Sequence, residues 1–255
     1  MRMEKEMIRT AFRNFFSLKR PPESIPVLYG RKMLMPFPDG SCDLCGACSG
    51  ECRTRAISVS VSEWKVDLGK CIFCRRCFDA CAKGSLKPTG APDYVLKRED
   101  LIFRSGESTE RKRETISPEK RRVIRRSANV RAVDAGSCNA CGIEVGSMFN
   151  RMYDAERFGI KMVASPRHAD VLLVAGPLTD NMREAFDRVV KATPDPKVIV
   201  AMGTCAISGG LFSEGETSGG ISGSADVDVF IPGCPPPPDA VLRALLSAFG
   251  SAEQR

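Results

Sequence analysis

Twelve cysteines in a chain of 255 residues are the side chains with the most chemistry to offer, and eight of them fall into two runs. "CDLCGACSGEC" at 42–52 and "CIFCRRCFDAC" at 71–81 share the spacing C-x2-C-x2-C-x3-C. A thiolate is a soft, anionic ligand, and three within seven residues wrap one iron–sulfur cube while the fourth ligand arrives from a distance. The repeat predicts two [4Fe-4S] clusters whose last cysteines cross over, with Cys42, Cys45, Cys48 and Cys81 on one and Cys71, Cys74, Cys77 and Cys52 on the other. Zinc is disfavoured, because its sites usually space ligand pairs further apart and often enlist histidine, of which the chain has one. Neither run continues with the proline that commonly follows the fourth cysteine. Arg53 and Ala82 stand there instead, which removes rigidity but no ligand atom. Arg53, Arg75 and Arg76 add positive charge that favours a more negative, reduced cluster.

Four cysteines remain: Cys138, Cys141, Cys205 and Cys234. On its own "GSCNACGIE" also suits a thioredoxin-like dithiol, since C-x-x-C between a strand and a helix needs no further thiol. The other two cysteines decide between the readings. Cys205 follows the apolar run "KVIVAMG" (197–203), and Cys234 follows "VDVFIPG" (227–233). As buried parallel strands these runs deliver both cysteines to the carboxyl edge of a sheet, where open α/β folds place their ligands. With Cys138 and Cys141 on the same edge, the four make a third [4Fe-4S] site. Gly136, Gly203, Gly209, Gly210 and Gly233 surround it, either to admit backbone N–H groups to sulfur or simply to turn the chain. Glu144, expected to open the helix after the first motif, is the candidate catalytic acid. It either relays protons or complements the helix N-terminus. His168 in "SPRHAD" reads as a loop hydrogen-bonder rather than a titrating partner of the cluster.

The elements that position these residues follow from periodicity. "VLLVAG" (171–176) and the runs at 197–203 and 227–233 read as parallel strands ending in glycine. "LTDNMREAFDRVVKA", capped by Thr179, and "PPPDAVLRALLSAFG" read as helices between and after them. The stretch "SVSVSEWKVDLGK" between the two runs alternates like a strand. Near the amino end, Ile8, Phe12, Phe15 and Phe16 form an apolar helical stripe beside Arg9 and Arg13, fit for docking on a membrane surface or a membrane subunit. The net charge is +7, much of it in "RKRETISPEKRRVIRR" (111–126). That run mixes in Glu114 and Glu119 and has no aromatics, so it reads as a solvated linker, and no nucleic-acid partner is expected. The absence of a leader pattern together with clustered cysteines points to a reducing cytoplasm, and no apolar stretch is long enough to span a bilayer. The expected divisions are an amphipathic docking helix and extended arm at 1–30, a two-cluster domain at 31–103, a basic linker at 104–126 and a one-cluster α/β domain at 127–255.

Through these motifs the chain resembles two iron–sulfur subunits of the formate hydrogenlyase type of membrane-bound nickel–iron hydrogenase joined end to end. "CDLCGACSGEC" and "WKVDLGKCIFCRRCFDAC" resemble its two-cluster ferredoxin subunit. "GSCNACGIE", "SPRHADVLLVAGPLT", "MGTCAISGG" and "IPGCPPPP" resemble its small subunit, a family shared with the 20 kDa component of respiratory complex I. That complex I relative carries adjacent cysteines at the first motif, whereas this chain has C-x-x-C. The resemblance implies an α+β two-cluster ferredoxin domain followed by an α/β flavodoxin-like domain with an open parallel sheet. It implies a non-catalytic electron-transfer subunit that relays single electrons through three [4Fe-4S] clusters to a nickel–iron centre in a separate large subunit. The other partners implied are membrane-embedded subunits and an electron donor or acceptor protein, with the chain peripheral on the inner face of the cell membrane. The alternatives are a complex I-like quinone oxidoreductase subunit and a freestanding three-cluster carrier. No cysteine is left over to ligate nickel.

Overall fold

The computed structural model describes residues 33–250 apart from 113, 125 and 126. The docking helix expected within 1–30 lies outside the described residues. In the amino-terminal half, β1 (Leu34–Pro38) pairs antiparallel with β4 (Leu86–Gly90), while β3 (Trp64–Asp67) lies between β2 (Ile57–Val59) and β5 (Ile102–Arg104). The stretch expected as one strand is therefore two. Ser60 and Glu63 close a turn between them: Ser60 N–H donates to the Glu63 carbonyl at 2.8 Å, and Glu63 N–H donates to Ser60 Oγ at 3.1 Å. Two one-turn helices, α1 (Ala47–Gly50) and α2 (Arg76–Asp79), sit inside the cysteine runs and pack against each other.

The carboxy-terminal half is built on β6 (Ala128–Asp134), β7 (Ile160–Met162), β8 (Val171–Ala175), β9 (Val198–Met202) and β10 (Val229–Ile231). All pair in parallel, in the order β10-β9-β8-β6-β7. Counted along this half alone the order is 2-1-3-4-5, that of flavodoxin-like sheets, with its reversal between β6 and β8. The three expected strands are β8, β9 and β10. Side chains alternate across the sheet with period two. Leu172 and Val174 share one side with Phe186 of α5 (Asp180–Ala192), and Val171 and Leu173 share the other with Leu242 and Leu245 of α7 (Pro238–Ala248). Thr179 holds the N-cap position of α5 without a side-chain hydrogen bond.

The first of these two sides is completed by the other half of the chain. Its apolar cluster continues through Met35, Trp64, Val66, Leu68, Leu101 and Phe103, so both halves share one interior. Val95 and Phe230 exchange backbone hydrogen bonds of 3.0 and 2.9 Å. Arg243 on α7 grips both carboxylate oxygens of Asp93 at 2.9 Å and reaches Asp239 at 2.6 Å. The segment 104–126, expected as a solvated linker, is packed along part of its length. Ile116 and Ile124 are buried, α3 (Pro118–Ile124) carries Lys120 to Asp228 at 2.5 Å, and Arg111 lies 4.0 Å over the ring of Phe103. Dense charge along the sequence conceals the two isoleucines that hold this segment down. Among the described residues no helix is long and apolar enough to cross a membrane.

Candidate metal centres

The two cysteine runs repeat in backbone conformation as well as in spacing. At matching positions φ is 57° for Leu44 and 56° for Phe73, 79° for Gly46 and 67° for Arg75, and 51° for Arg55 and 60° for Gly84. Left-handed geometry costs a bulky residue on the order of 1–2 kcal/mol, and it persists only where the surroundings impose it, commonly at ligand sites. Left-handed residues followed by a helical turn aim successive N–H groups into one concavity, an arrangement suited to anionic sulfur.

The last cysteine of each run faces the other run. A cavity of about 240 Å³ is lined by Cys42, Cys45, Cys48 and Cys81; a second is lined by Cys71, Cys74, Cys77 and Cys52. The packing of α1 on α2 produces this exchange. Burial pushes the Cys71 thiol to about 12 and Cys77 to about 11, with Cys52 and Cys74 adding to both. Backbone N–H groups already point at sulfur, from Ala56 to Cys52 at 3.2 Å and from Phe73 to Cys71 at 3.4 Å.

The other four cysteines meet at the carboxyl edge of the parallel sheet. Cys138 and Cys141 follow β6, where Asn139 at φ 67° starts α4 (Ala140–Ser147). Cys205 lies in α6 (Gly203–Ser208), directly after β9, and Cys234 lies after β10. Burial drives Cys141 to about 12 and Cys205 to about 11, and every pair among the four is close enough for one thiol to raise another. Close approach needs glycine at two places. A Cβ on Gly203 would stand 2.8 Å from Cys141 Sγ, and one on Gly210 would stand 3.1 Å from Cys205 Sγ, both at positive φ.

Glu144 does not open its helix, contrary to the sequence-based expectation. The left-handed turn at Asn139 starts α4 earlier, so Glu144 lies in mid-helix and the first turn has no acidic residue. Its carboxyl is raised by burial and by Asp239, and it bears in turn on Cys141. His168 is exposed in a short turn at the amino end of β8, the edge opposite the cysteines.

Three further residues, without an obvious sequence signal, bear on these groups. Thr204, 1% exposed, places its hydroxyl 2.8 Å from the Cys71 carbonyl and 3.0 Å from that of Gly233. Ser208 donates to the Gly69 carbonyl at 2.6 Å. Through α6, the backbone of the second cysteine group is thus tied to that of the third. The third residue is Trp64, which lines the first cavity.

All twelve cysteines are free thiols. Among the described residues no three or more of His, Cys, Asp and Glu gather as one metal ion requires. Four thiolates around a single zinc, each about 2.3 Å from it, would lie within about 4 Å of one another. All-sulfur donor sets, one of them around a cavity of about 240 Å³ and another approached by backbone N–H groups, suit a polynuclear iron–sulfur core.

Residues 138–248 match the model of the family described as NADH ubiquinone oxidoreductase, 20 Kd subunit. The chain is 46% identical over 129 residues to "Probable membrane-bound hydrogenase subunit mbhJ" of Pyrococcus furiosus, a match covering 50% of this chain and 77% of that protein. It is 47% identical over 133 residues to formate hydrogenlyase subunit 7 of Escherichia coli, covering 52% of each. It is 43% identical over 108 residues to NAD(P)H-quinone oxidoreductase subunit K 1 of Acaryochloris marina, covering 42% of this chain and 47% of that one. The chain thus spans about half the length of the latter two relatives. The family match begins at the first cysteine of the sheet-edge group and runs past the fourth, so the group that the fold assembles is also the one the family encloses: the chain belongs to the NADH ubiquinone oxidoreductase 20 Kd subunit family.

Proposed function

We propose that the chain is the iron–sulfur electron-transfer subunit of a membrane-bound nickel–iron hydrogenase of the formate hydrogenlyase type. In this reading it serves a separate nickel–iron large subunit and a donor or acceptor protein, as a peripheral subunit on the cytoplasmic face of a membrane-anchored complex. The observation that carries the reading is the convergence of Cys138, Cys141, Cys205 and Cys234 at one sheet edge, within a chain that also carries two interleaved four-cysteine groups. [4Fe-4S] clusters, when bound, accept and release one electron each. The residues would be divided as Cys42, Cys45, Cys48 and Cys81; Cys71, Cys74, Cys77 and Cys52; and Cys138, Cys141, Cys205 and Cys234. Thr204 and Ser208 keep the second and third groups in fixed register. Ile143, Leu211 and Phe212, which neighbour Cys141 and Cys205 in the chain, are 63%, 55% and 47% exposed, an apolar rim suited to a protein partner. The C-x-x-C spacing favours the hydrogenase over the second reading, a complex I-like quinone oxidoreductase, which the identity to subunit K supports.

Anaerobically purified protein is expected to hold about 12 irons, from three clusters of four. Cys48→Ser, Cys77→Ser and Cys141→Ser are each expected to lose about a third of that iron and one of three paramagnetic signals on reduction. Stoichiometric zinc with little iron would overturn the assignment. Nickel in a co-purifying large subunit separates the hydrogenase from the quinone-linked reading.

A further inference from the structure

Trp64, the sole tryptophan of the chain, is fully buried at the start of β3 and packs edge-on against Phe37 at a ring separation of 6.1 Å. Its backbone N–H is met by Ser105 Oγ at 3.3 Å. Its indole Nε1, by contrast, is buried with no hydrogen-bond partner of ordinary geometry. An unpaired buried donor is destabilising, and phenylalanine would fill a core without that penalty. The indole does face an acceptor in the making. Trp64 lines the cavity enclosed by Cys42, Cys45, Cys48 and Cys81. Of these four cysteines Cys48 is the buried one, and it shares the apolar cluster that contains Trp64. A neutral thiol accepts hydrogen bonds weakly, whereas a thiolate bound to iron carries negative charge and accepts well.

We propose that the indole N–H of Trp64 is a positioning and potential-setting donor to Cys48 Sγ, stabilising the reduced, more negative state of the first site and so raising its reduction potential. This rests on the reading that the first cysteine group holds an iron–sulfur cluster. Hydrogen bonds to ligand sulfur are an established means of tuning cluster potential. The repeat makes the assignment asymmetric: the residue at the position matching Trp64 in the second run is Asp93, which is engaged with Arg243. The second group takes backbone N–H groups from Ala56 and Phe73 instead.

The test uses the full-length chain in three forms: unchanged, Trp64→Phe, and Trp64 replaced by benzothienylalanine, which keeps the bicyclic shape and lacks the N–H. Dithionite titration followed by electron paramagnetic resonance is expected to show one of three signals moved to lower potential in both altered forms, with the other two in place. A second readout needs no activity. Tryptophan emission of the metal-free protein should be quenched on reconstitution with iron and sulfide, and Cys48→Ser should abolish most of that quenching. Full iron with unmoved potentials in both altered forms would overturn the role of Trp64 alone. A shift in Trp64→Phe but not in the benzothienylalanine form would also overturn it, assigning the effect to packing. An unchanged chain that takes up no iron would overturn the cluster reading itself, and this inference with it.

Discussion

Glu144 and Asp239 are two carboxylates held where neither is fully solvated. Burial first, and the negative charge of Asp239 second, keep the Glu144 carboxyl above its ordinary range, while Asp239 is 7% exposed and held by Arg243. Because the folded chain holds this proton more tightly than the unfolded chain does, the stability it contributes is present at low pH. That contribution is lost as pH rises through the raised value. Near neutral pH, Glu144→Gln is therefore expected to leave the fold at least as stable, as a thermal melt would show. An acid poised closer to neutrality also exchanges protons more readily. In a complex of the proposed hydrogenase type the same change is expected to slow hydrogen turnover while iron content stays constant, and undiminished turnover would leave Glu144 a structural residue. Sequence pattern marked this carboxylate as an acid beside a cysteine motif. It could not place it within the helix, because an asparagine at 139 permits a left-handed turn without requiring one. Trp64 was hidden for a related reason: its backbone follows from strand alternation, but the direction of an indole nitrogen does not.

At the scale of elements, α6 does the most with the fewest residues. Within six positions it supplies Cys205 to the third group, Thr204 to the Cys71 carbonyl and Ser208 to the Gly69 carbonyl. Thr204→Val removes the hydroxyl that lies between the Cys71 and Gly233 carbonyls, and is expected to lower stability in urea by about 1–2 kcal/mol. Thr204→Ser is expected to recover most of it. A valine variant as stable as the unchanged chain would show that the contact between the halves does not depend on this bond. Strands β8, β9 and β10 were legible as short apolar runs closed by glycine. β7 was not: three residues long with Lys161 and Met162 exposed, it has too little periodicity to register. The pair β2 and β3 read as one strand because the turn through Ser60 and Glu63 contains neither glycine nor proline.

For the whole molecule, the shared interior matters more than either half. Leu172, Val174 and Ile199 on the sheet face the same apolar cluster as Trp64, Leu101 and Phe103. A fragment of residues 127–255 made alone would expose that face, and it is expected to bind a hydrophobic dye and unfold without cooperativity. A monomeric fragment with a sharp transition would show that the halves are independent. The order of the two halves was legible from the cysteine spacing. Their fusion into one core was not, since it depends on contacts between residues far apart in sequence and on Ile116 and Ile124 set among charges. Residues 104–126 have a further consequence as a covalent strap. They turn the meeting of the two halves from a bimolecular encounter into an intramolecular one, at an effective concentration that short tethers bring to roughly the millimolar range. The shared apolar interior, with the hydrogen bonds and ion pairs that cross it, then keeps the halves together at any dilution. Their ratio is fixed at one to one, and no copy of the sheet-edge site can be made without the other two cysteine groups beside it.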